Sequence, residues 1–192
     1  LRSIIMMDPP DHDTFRALVS RVFTPRAIAS LEPMVRTVIS GFCDAIGDAS
    51  SFDAVVDLSG PFPVEIISIM MGVPPEERQP IRRWLDVMRT RELGQMHPSA
   101  EASAASIAMG TYYYGLTQSR REHPGDDLLS RLIEATVRRA DCTETRLDDA
   151  EIAGFCGLLL GAGAETVTKL VANAFVLFHR YPDQWRLVRD DP

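Results

Sequence analysis

The sequence has no excess of positive charge, because 27 Asp and Glu residues outnumber 20 Lys and Arg residues and give a formal net charge of -7. Nucleic-acid binding depends on a basic surface that contacts phosphates, so this balance argues against a nucleic-acid-binding protein. The strongly apolar, uncharged run at 152–164 is shorter than the roughly 20 residues of a membrane-spanning helix. We therefore expect no membrane span.

Cysteine is scarce, with three widely spaced residues at Cys43, Cys142 and Cys156. The spacing contains no CxxC pair and no Cys/His cluster, which argues against a structural zinc site. Cys43 and Cys156 lie in apolar helical stretches, so we predict that they are small buried hydrophobic residues. The N-terminal segment also lacks the features of a signal peptide. These absences together predict a reducing, cytoplasmic setting.

The sequence contains little that predicts a β-sheet, and most apolar residues recur at helical spacing. We therefore predict an all-α fold in which prolines and glycines separate the helices. The predicted helices cover approximately residues 9–23, 24–47, 64–71, 76–91, 100–121, 126–137 and 149–181, and a last short helix begins near 183. A short extended or turn segment should precede residue 64, and a polar loop should follow residue 137.

The longest predicted helix has clear start and stop signals. Asp148 at the cap and Glu151 three residues later form a capping-box pattern, and Pro182 marks the end. At 1.5 Å per residue, the helix over 149–181 would be about 50 Å long. A helix of that length is unusual in a small domain and normally crosses a large one.

The middle of this helix reads GAGAET and contains three unusual features. Gly161 and Gly163 each cost about 0.5–1 kcal/mol relative to alanine in a helix interior. Glu165 is the only charged residue between Glu151 and Lys169, and Thr166 follows it directly. The small residues favour close approach of either another helix or a planar cofactor. The Glu–Thr pair is compatible with ordinary helix hydrogen bonding or with a proton relay.

A second group of polar residues lies near the N-terminus. His12 and Arg16 are four residues apart, so they share one side of the first helix at the border of its apolar stripe. A histidine next to an arginine is suited to bind a carboxylate. Ordinary charges at the border of an N-terminal helix would explain the same pattern.

Four segments together resemble one known family. MDPPDHDTFRALVSRVFTPRAI is similar to the C-helix region of bacterial cytochromes P-450, and LLLGAGAETVT is similar to the I-helix motif of that family. FPVEIISIMMGVPPEER and HPGDDLLSRLIEA resemble the same family in the correct order between them. The resemblance covers nearly all 192 residues, from the C helix to the start of the J helix.

The resemblance implies specific roles. His12 and Arg16 would bind haem propionates, Ala162 and Gly163 would face the haem and dioxygen, and Glu165 and Thr166 would deliver protons that promote cleavage of the O–O bond. The resemblance also implies a small hydrophobic substrate and a ferredoxin or flavin-type electron donor. Leu158, Leu159 and the loop at 91–100 would lie near the substrate pocket.

Two hallmarks of the family are missing from this sequence. No glycine-rich loop surrounds any of the three cysteines, so the sequence offers no axial haem ligand, and the Glu-x-x-Arg motif of the K helix is also absent. We therefore predict that residues 1–192 form a single partial domain: a partial cytochrome P-450 fold with a long central I helix, without the N-terminal sheet and the C-terminal haem-cysteine region. The isolated chain should be inactive. Two alternatives remain open: a truncated or degenerate, non-catalytic helical protein that binds haem weakly or not at all, and an unrelated helical bundle.

Overall fold

The computed structural model describes residues 3–90, 94, 95, 97–138 and 141–191, with only the backbone at 21, 22, 137 and 145. Eight α-helices dominate these residues, as the sequence predicted. They are α1 (Asp11–Val22), α2 (Pro25–Ile46), α3 (Pro61–Met70), α4 (Pro75–Arg89), α5 (Ala100–Glu122), α6 (Leu128–Glu134), α7 (Asp149–Arg180) and α8 (Pro182–Asp190).

Helix α7 is the central element of the fold and begins as its sequence predicts. The Asp148 carboxylate accepts a hydrogen bond from the Glu151 amide at 2.7 Å, and the Glu151 carboxylate accepts one from the Asp148 amide at 3.0 Å. This reciprocal pair satisfies amide groups that lack partners at a helix start. The helix then runs for 32 residues to Arg180, just before the predicted end.

The hydrophobic core surrounds the first half of α7. Helix α7 packs against α3, α5 and α6, and α4 packs on α5. Ile152, Cys156, Leu160 and Ala164 are each 0% exposed, so one side of α7 is buried over its first four turns. The second half carries no fully buried residue. The core therefore positions the segment around residue 162 at the edge between a buried and an exposed region.

The segment after α6 corrects the sequence prediction. We predicted a helix to residue 137 and then a polar loop, but α6 ends at Glu134 and a short antiparallel hairpin follows. Its strands are β1 (Thr136–Arg138) and β2 (Glu144–Arg146). The backbone amides and carbonyls of this segment are paired across the hairpin, which satisfies them as well as another helical turn would.

A π-helical turn, Ala54–Ser59, replaces the predicted extended or turn segment before α3. The Asp53 carboxylate caps it by accepting hydrogen bonds from the amides of Val55 and Val56. Thr168 of α7 donates its hydroxyl hydrogen bond to the carbonyl of Ser59 at 2.9 Å. This hydrogen bond joins the end of the π-helical turn directly to α7.

Helix α2 lies on the surface, where it contacts α3 and the π-helical turn. It contains no fully buried residue, and Cys43 is exposed on it. The prediction that Cys43 is a buried hydrophobic residue is therefore wrong, whereas Cys156 is buried in α7 as predicted. Apolar spacing along α2 did not distinguish partial from full burial, because spacing does not show how much of that side another element covers.

Among the described residues, α7 is the one helix that is long and apolar enough to cross a membrane by length and composition alone. The central helix of a folded domain has the same length and composition, and the first half of α7 lies in the core. The expectation that the protein has no membrane span stays a prediction.

Candidate active site around the central helix

The residues of the turn at 161–166 face different sides of α7. Side chains four residues apart lie above one another on a helix. Leu158, Ala162 and Thr166 therefore share a side, which passes from half-buried at Leu158 to exposed at the other two. Leu160 and Ala164 share the buried side. The predicted site residues do not all lie on one side.

Glu165 points away from the exposed side and toward α4. Its carboxylate accepts a hydrogen bond from Lys169 Nζ at 2.5 Å and forms an ion pair with Arg89 Nε at 3.6 Å. The pKa of Glu165 is held below its ordinary value, first by the hydrogen bond from Lys169 and then by the charges of Lys169 and Arg89. Its side chain remains 42% exposed. In this arrangement Glu165 is an ionised, solvent-accessible carboxylate with two cationic partners.

Thr166 is exposed, and its hydroxyl donates a hydrogen bond to the carbonyl of Ala162 at 2.9 Å. Threonines inside helices commonly bond back to the preceding turn in this way. Consecutive residues on a helix do not face each other, so Glu165 and Thr166 point in different directions. A proton that passes from one to the other would therefore travel through water between them.

Gly163 faces α3 rather than the exposed side. A Cβ atom at this position would lie 2.6 Å from Cδ1 of Ile67, which is closer than real Cβ atoms approach a neighbour. At Gly161 the same construction places the nearest atom, Cδ1 of Leu85, at 4.0 Å, an ordinary van der Waals distance. A side chain at residue 163 would therefore require the terminal methyl group of Ile67 to move. That Gly163 also leaves room for a haem stays a prediction.

His12 and Arg16 lie on α1, which meets α7 through the rings of Phe15 and Phe155 with centroids 6.0 Å apart. His12 Nδ1 lies 3.1 Å from the carboxylate of Asp13, and its side chain is 28% exposed. Arg16 is exposed, and within the described part of the chain it has no hydrogen bond or ion pair. Ala162 follows Phe155 by about 10 Å along the axis of α7. The contact between Phe15 and Phe155 therefore places α1 beside α7 about two turns before Ala162.

The cysteines do not offer a thiolate near this turn. Burial raises the pKa of the Cys156 thiol to about 12, so the group is neutral at physiological pH. Cys43 lies on α2, and Cys142 lies in the turn between β1 and β2. Both cysteines are exposed. No group of three or more His, Cys, Asp or Glu side chains among the described residues is arranged to hold a metal ion.

A cavity of about 660 Å³ lies elsewhere, between the end of α1, the start of α2 and the end of α6. Its lining includes Leu18, Arg26 and Arg131 but none of the predicted site residues. Ala162 and Thr166 are exposed, so within the described residues the candidate site is an open side of α7.

Comparison with known proteins identifies the family. The chain is 31% identical over 196 residues to cytochrome P-450 CYP107DY1 of Priestia megaterium. This alignment covers 99% of the chain and 45% of that relative. It is 36% identical over 185 residues to cytochrome P-450 107B1 of Saccharopolyspora erythraea. That alignment covers 96% of the chain and 43% of the relative. No family model matches the chain.

The fold is similar to solved structures of other cytochromes P-450. The crystal structure of CYP109E1 from Bacillus megaterium in complex with corticosterone aligns with a TM-score of 0.85 and 32% identity, over 98% of this chain and 50% of that one. The chain belongs to the cytochrome P-450 family. The alignments cover 96–99% of this chain, which confirms the predicted resemblance and its extent. The chain spans slightly less than half the length of these two curated relatives.

Sequence reasoning missed two residues that contact Glu165. Lys169 could have been found, because it follows Glu165 at the i, i+4 spacing that favours ion pairs on a helix. Arg89 gave no such signal, since it lies in the last turn of α4 and 72 positions from the carbonyl that it contacts. The predicted loop contribution at 91–100 falls partly outside the described residues.

Proposed function

We propose that this chain provides the oxygen-activating helix of a haem-dependent monooxygenase, which inserts one oxygen atom from dioxygen into a small hydrophobic substrate. The observation that carries the proposal is the turn at 161–166, which exposes Ala162 and Thr166 on one side of α7 and holds Glu165 beside them. The same turn lies in a chain that aligns with cytochromes P-450 over 96–99% of its length.

The residues present fit the distal side and the propionates of a haem. Ala162 presents a small side chain on an exposed helix surface, which a flat ring can approach closely. Arg16 is a cation without a partner in the described part of the chain, and with His12 it could bind carboxylates. When bound, the haem would supply the chemistry of dioxygen activation.

The residues of this chain have definite tasks in that reaction. Glu165 exchanges protons with solvent through its exposed carboxylate, and Thr166 holds a hydroxyl on the open side of α7. Water between the two would complete the path, because the two side chains point in different directions. Leu158 and Leu159 would contact the substrate, since both are partly buried next to this turn.

Similarity to the family supports the proposed substrate class and electron donor. The apolar residues near the motif favour a small hydrophobic substrate, and the similar protein from Bacillus megaterium was solved with corticosterone. A ferredoxin or flavin-type protein would supply the electrons. We also propose a cytoplasmic setting, in which the three free cysteines stay reduced.

The test is optical spectroscopy of the complete gene product. It should bind haem and, after reduction, give a carbon monoxide complex with the Soret band of thiolate ligation. Residues 1–192 expressed alone should not give this band, because Cys156 is a buried neutral thiol and a thiolate is the form that binds iron.

Two variants make this test specific. Arg16→Gln should lower haem occupancy, whereas Arg36→Gln should not, since Arg36 is paired with Glu32 on the exposed side of α2. A complete gene product without haem affinity would overturn the proposal and support a non-catalytic helical protein. A thiolate spectrum from residues 1–192 alone would overturn the expected inactivity of the isolated chain.

A further inference from the structure

A cavity of about 480 Å³ lies between the end of α2, the π-helical turn and α4. Small-molecule sites have volumes of about 300–1,000 Å³ and combine apolar walls with a few polar groups. Most of this lining is apolar and includes Ala45, Phe52 and Val56, whereas α4 contributes the polar side chains of Gln79 and Arg82. The lining contains none of the residues assigned above to the haem, the proton path or the substrate.

Arg82 lines this cavity with a guanidinium group that has unused hydrogen-bond donors. Its side chain is 23% exposed, and it donates no hydrogen bond to another described residue. Its ion-pair partner is Asp86, one turn later on α4, with a carboxylate oxygen 3.7 Å from Arg82 Nε and a side chain that is 59% exposed. A guanidinium group carries five N–H donors, and donors withdrawn from water without acceptors are unfavourable. An acceptor inside the cavity would therefore stabilise this group.

The guanidinium group of Arg82 reaches from α4 to the end of the π-helical turn. A Cβ atom at Gly60 would lie 3.1 Å from Arg82 Nη2 and 2.7 Å from the carbonyl oxygen of Val55. The φ angle of Gly60 is -75°, which any residue can adopt, so it is space and not backbone conformation that favours glycine here. Glycine thus lets Arg82 lie between two of the elements that enclose the cavity.

The surroundings of Arg82 combine a cation with accessible apolar surface. Among the described residues of the lining, Asp57 is the other charged one, and it is exposed to solvent. Its carboxylate already accepts a hydrogen bond from the Asp53 amide at 2.8 Å. Phe52 and Val56 are 42% and 57% exposed, so apolar atoms next to the cation are open to a ligand.

We propose that this cavity is a peripheral binding site for a small hydrophobic carboxylic acid. The carboxylate accepts hydrogen bonds from Arg82, because the planar fork of a guanidinium group matches a carboxylate. The apolar body of the ligand covers Phe52 and Val56 and withdraws them from water. The site is separate from that of the oxidised substrate, since Leu158 and Leu159 do not line it, and it does not depend on the proposed function.

The test uses 4-benzoylbenzoate, an aromatic carboxylate whose excited ketone inserts into neighbouring C–H bonds. Each adduct carries the whole probe, so mass spectrometry of peptides from the complete, haem-loaded gene product locates it. We expect saturable adducts within residues 42–61, the segment that contains the apolar wall. Adducts in the substrate site of the same protein are distinguished by their positions in the sequence.

The variants separate the charged contact from the apolar one. Arg82→Gln should weaken labelling of residues 42–61 by 4-benzoylbenzoate roughly tenfold, the lower end for a hydrogen bond to a charged group, because Arg82 is partly exposed. Arg82→Lys keeps the charge without the fork and should have an intermediate effect. Arg83→Gln is the matched control, since Arg83 is exposed on α4 and has no ion pair within the described residues.

A neutral probe and a filled cavity complete the design. Labelling by 4-methylbenzophenone, which lacks the carboxylate, should not respond to Arg82→Gln. Ala45→Trp should suppress labelling of the segment by both probes, because Ala45 is an exposed residue of α2 whose enlarged side chain would occupy the cavity.

Each result decides one part of the proposal. Absence of saturable adducts within 42–61, or adducts that Ala45→Trp does not reduce, would overturn the site. Equal labelling by 4-benzoylbenzoate in Arg82→Gln and the unmodified protein would overturn the recognition of a carboxylate. Circular dichroism reports whether each variant folds. If Arg82→Gln does not fold, Arg82→Lys and the comparison of the two probes decide the role of the charge.

Discussion

At the scale of single residues, the Thr166 hydroxyl can bond to the helix backbone and can also take part in a proton path. Its hydroxyl proton is donated to the carbonyl of Ala162, which accounts for a threonine in a helix without any catalysis. The side chain is also exposed on the open side of α7 beside the small residue Ala162. The oxygen of the hydroxyl can still accept a hydrogen bond from water on that side.

Thr166→Ala in the complete gene product should separate electron consumption from product formation. A positioned proton donor contributes about 10²–10⁴-fold to a proton-transfer step, so the product formed per reduced cofactor should fall several-fold and more peroxide should be released. The free energy of unfolding should change by no more than about 0.5 kcal/mol, because the site is exposed. Product, peroxide and cofactor are measured together.

The control for this change is Thr166→Ser, which keeps the hydroxyl and should retain most of the coupling. If Thr166→Ala gives the same product ratio as the unmodified protein at normal haem content, Thr166 serves only the back-bond to Ala162.

At the scale of helices, the two glycines of α7 have different surroundings although they are two residues apart. Gly161 lies near Leu85 of α4 at ordinary contact distance, whereas Gly163 lies where a Cβ atom would overlap Ile67 of α3. Helix propensity favours alanine at both positions by about 0.5–1 kcal/mol. Packing opposes it at Gly163 alone.

Substitution of each glycine by alanine should therefore have different effects on stability. Gly161→Ala should raise the free energy of unfolding by about 0.5–1 kcal/mol. Gly163→Ala should give a smaller gain than Gly161→Ala or none, because displacing the terminal methyl of Ile67 from its rotamer costs about 0.5–1.5 kcal/mol. Denaturant unfolding of the complete gene product measures both values.

A second substitution tests the cause. Ile67→Val removes the Cδ1 atom that the new Cβ would meet, so Gly163→Ala should be more favourable in an Ile67→Val background than in the unmodified protein. Equal effects in the two backgrounds would show that α3 does not limit the size of residue 163.

At the scale of the whole molecule, many exposed apolar side chains lie outside the core in the last part of the chain. The second half of α7, the linking residue Tyr181 and α8 expose eight large apolar side chains: Leu170, Phe175, Val176, Leu177, Tyr181, Trp185, Leu187 and Val188. Leu170 is 70% exposed and Leu187 is 64% exposed. Exposed apolar surface of this extent favours association with other molecules.

Residues 1–192 expressed alone should therefore associate in solution. Light scattering after size-exclusion chromatography should show oligomers or aggregates at micromolar concentration. Leu170→Glu combined with Leu187→Glu should reduce the association, because both side chains lie in the exposed apolar region.

Ile107→Glu serves as the control, since Ile107 is also 70% exposed but lies on α5. This change should leave the association unaltered. A soluble monomer with one cooperative thermal transition would contradict the expectation, and equal effects of the α5 and α7 substitutions would show that the location of the apolar residues does not matter.

The sequence by itself determined the features that depend on neighbours within one helical turn. The capping box of Asp148 and Glu151 marked the start of α7, and Pro182 marked its end within one residue. The order of four segments identified the family, since each segment reflects a local pattern of residues. The pairing of Glu165 with Lys169 belongs to the same class, because both residues lie on one helix.

Only the tertiary structure decided which side of α7 each motif residue faces and what it meets there. Ile67 and Arg89 lie on other helices, far from the GAGAET motif along the chain, so no local spacing pointed to them. The surface position of Cys43 was missed for the same reason. The hairpin of β1 and β2 pairs residues close along the chain, and it was missed because its mixed polar sequence carries no clear alternation of apolar and polar residues. Spacing along a chain fixes which residues share a side of a helix, whereas burial and ion pairing depend on which other element packs against that side.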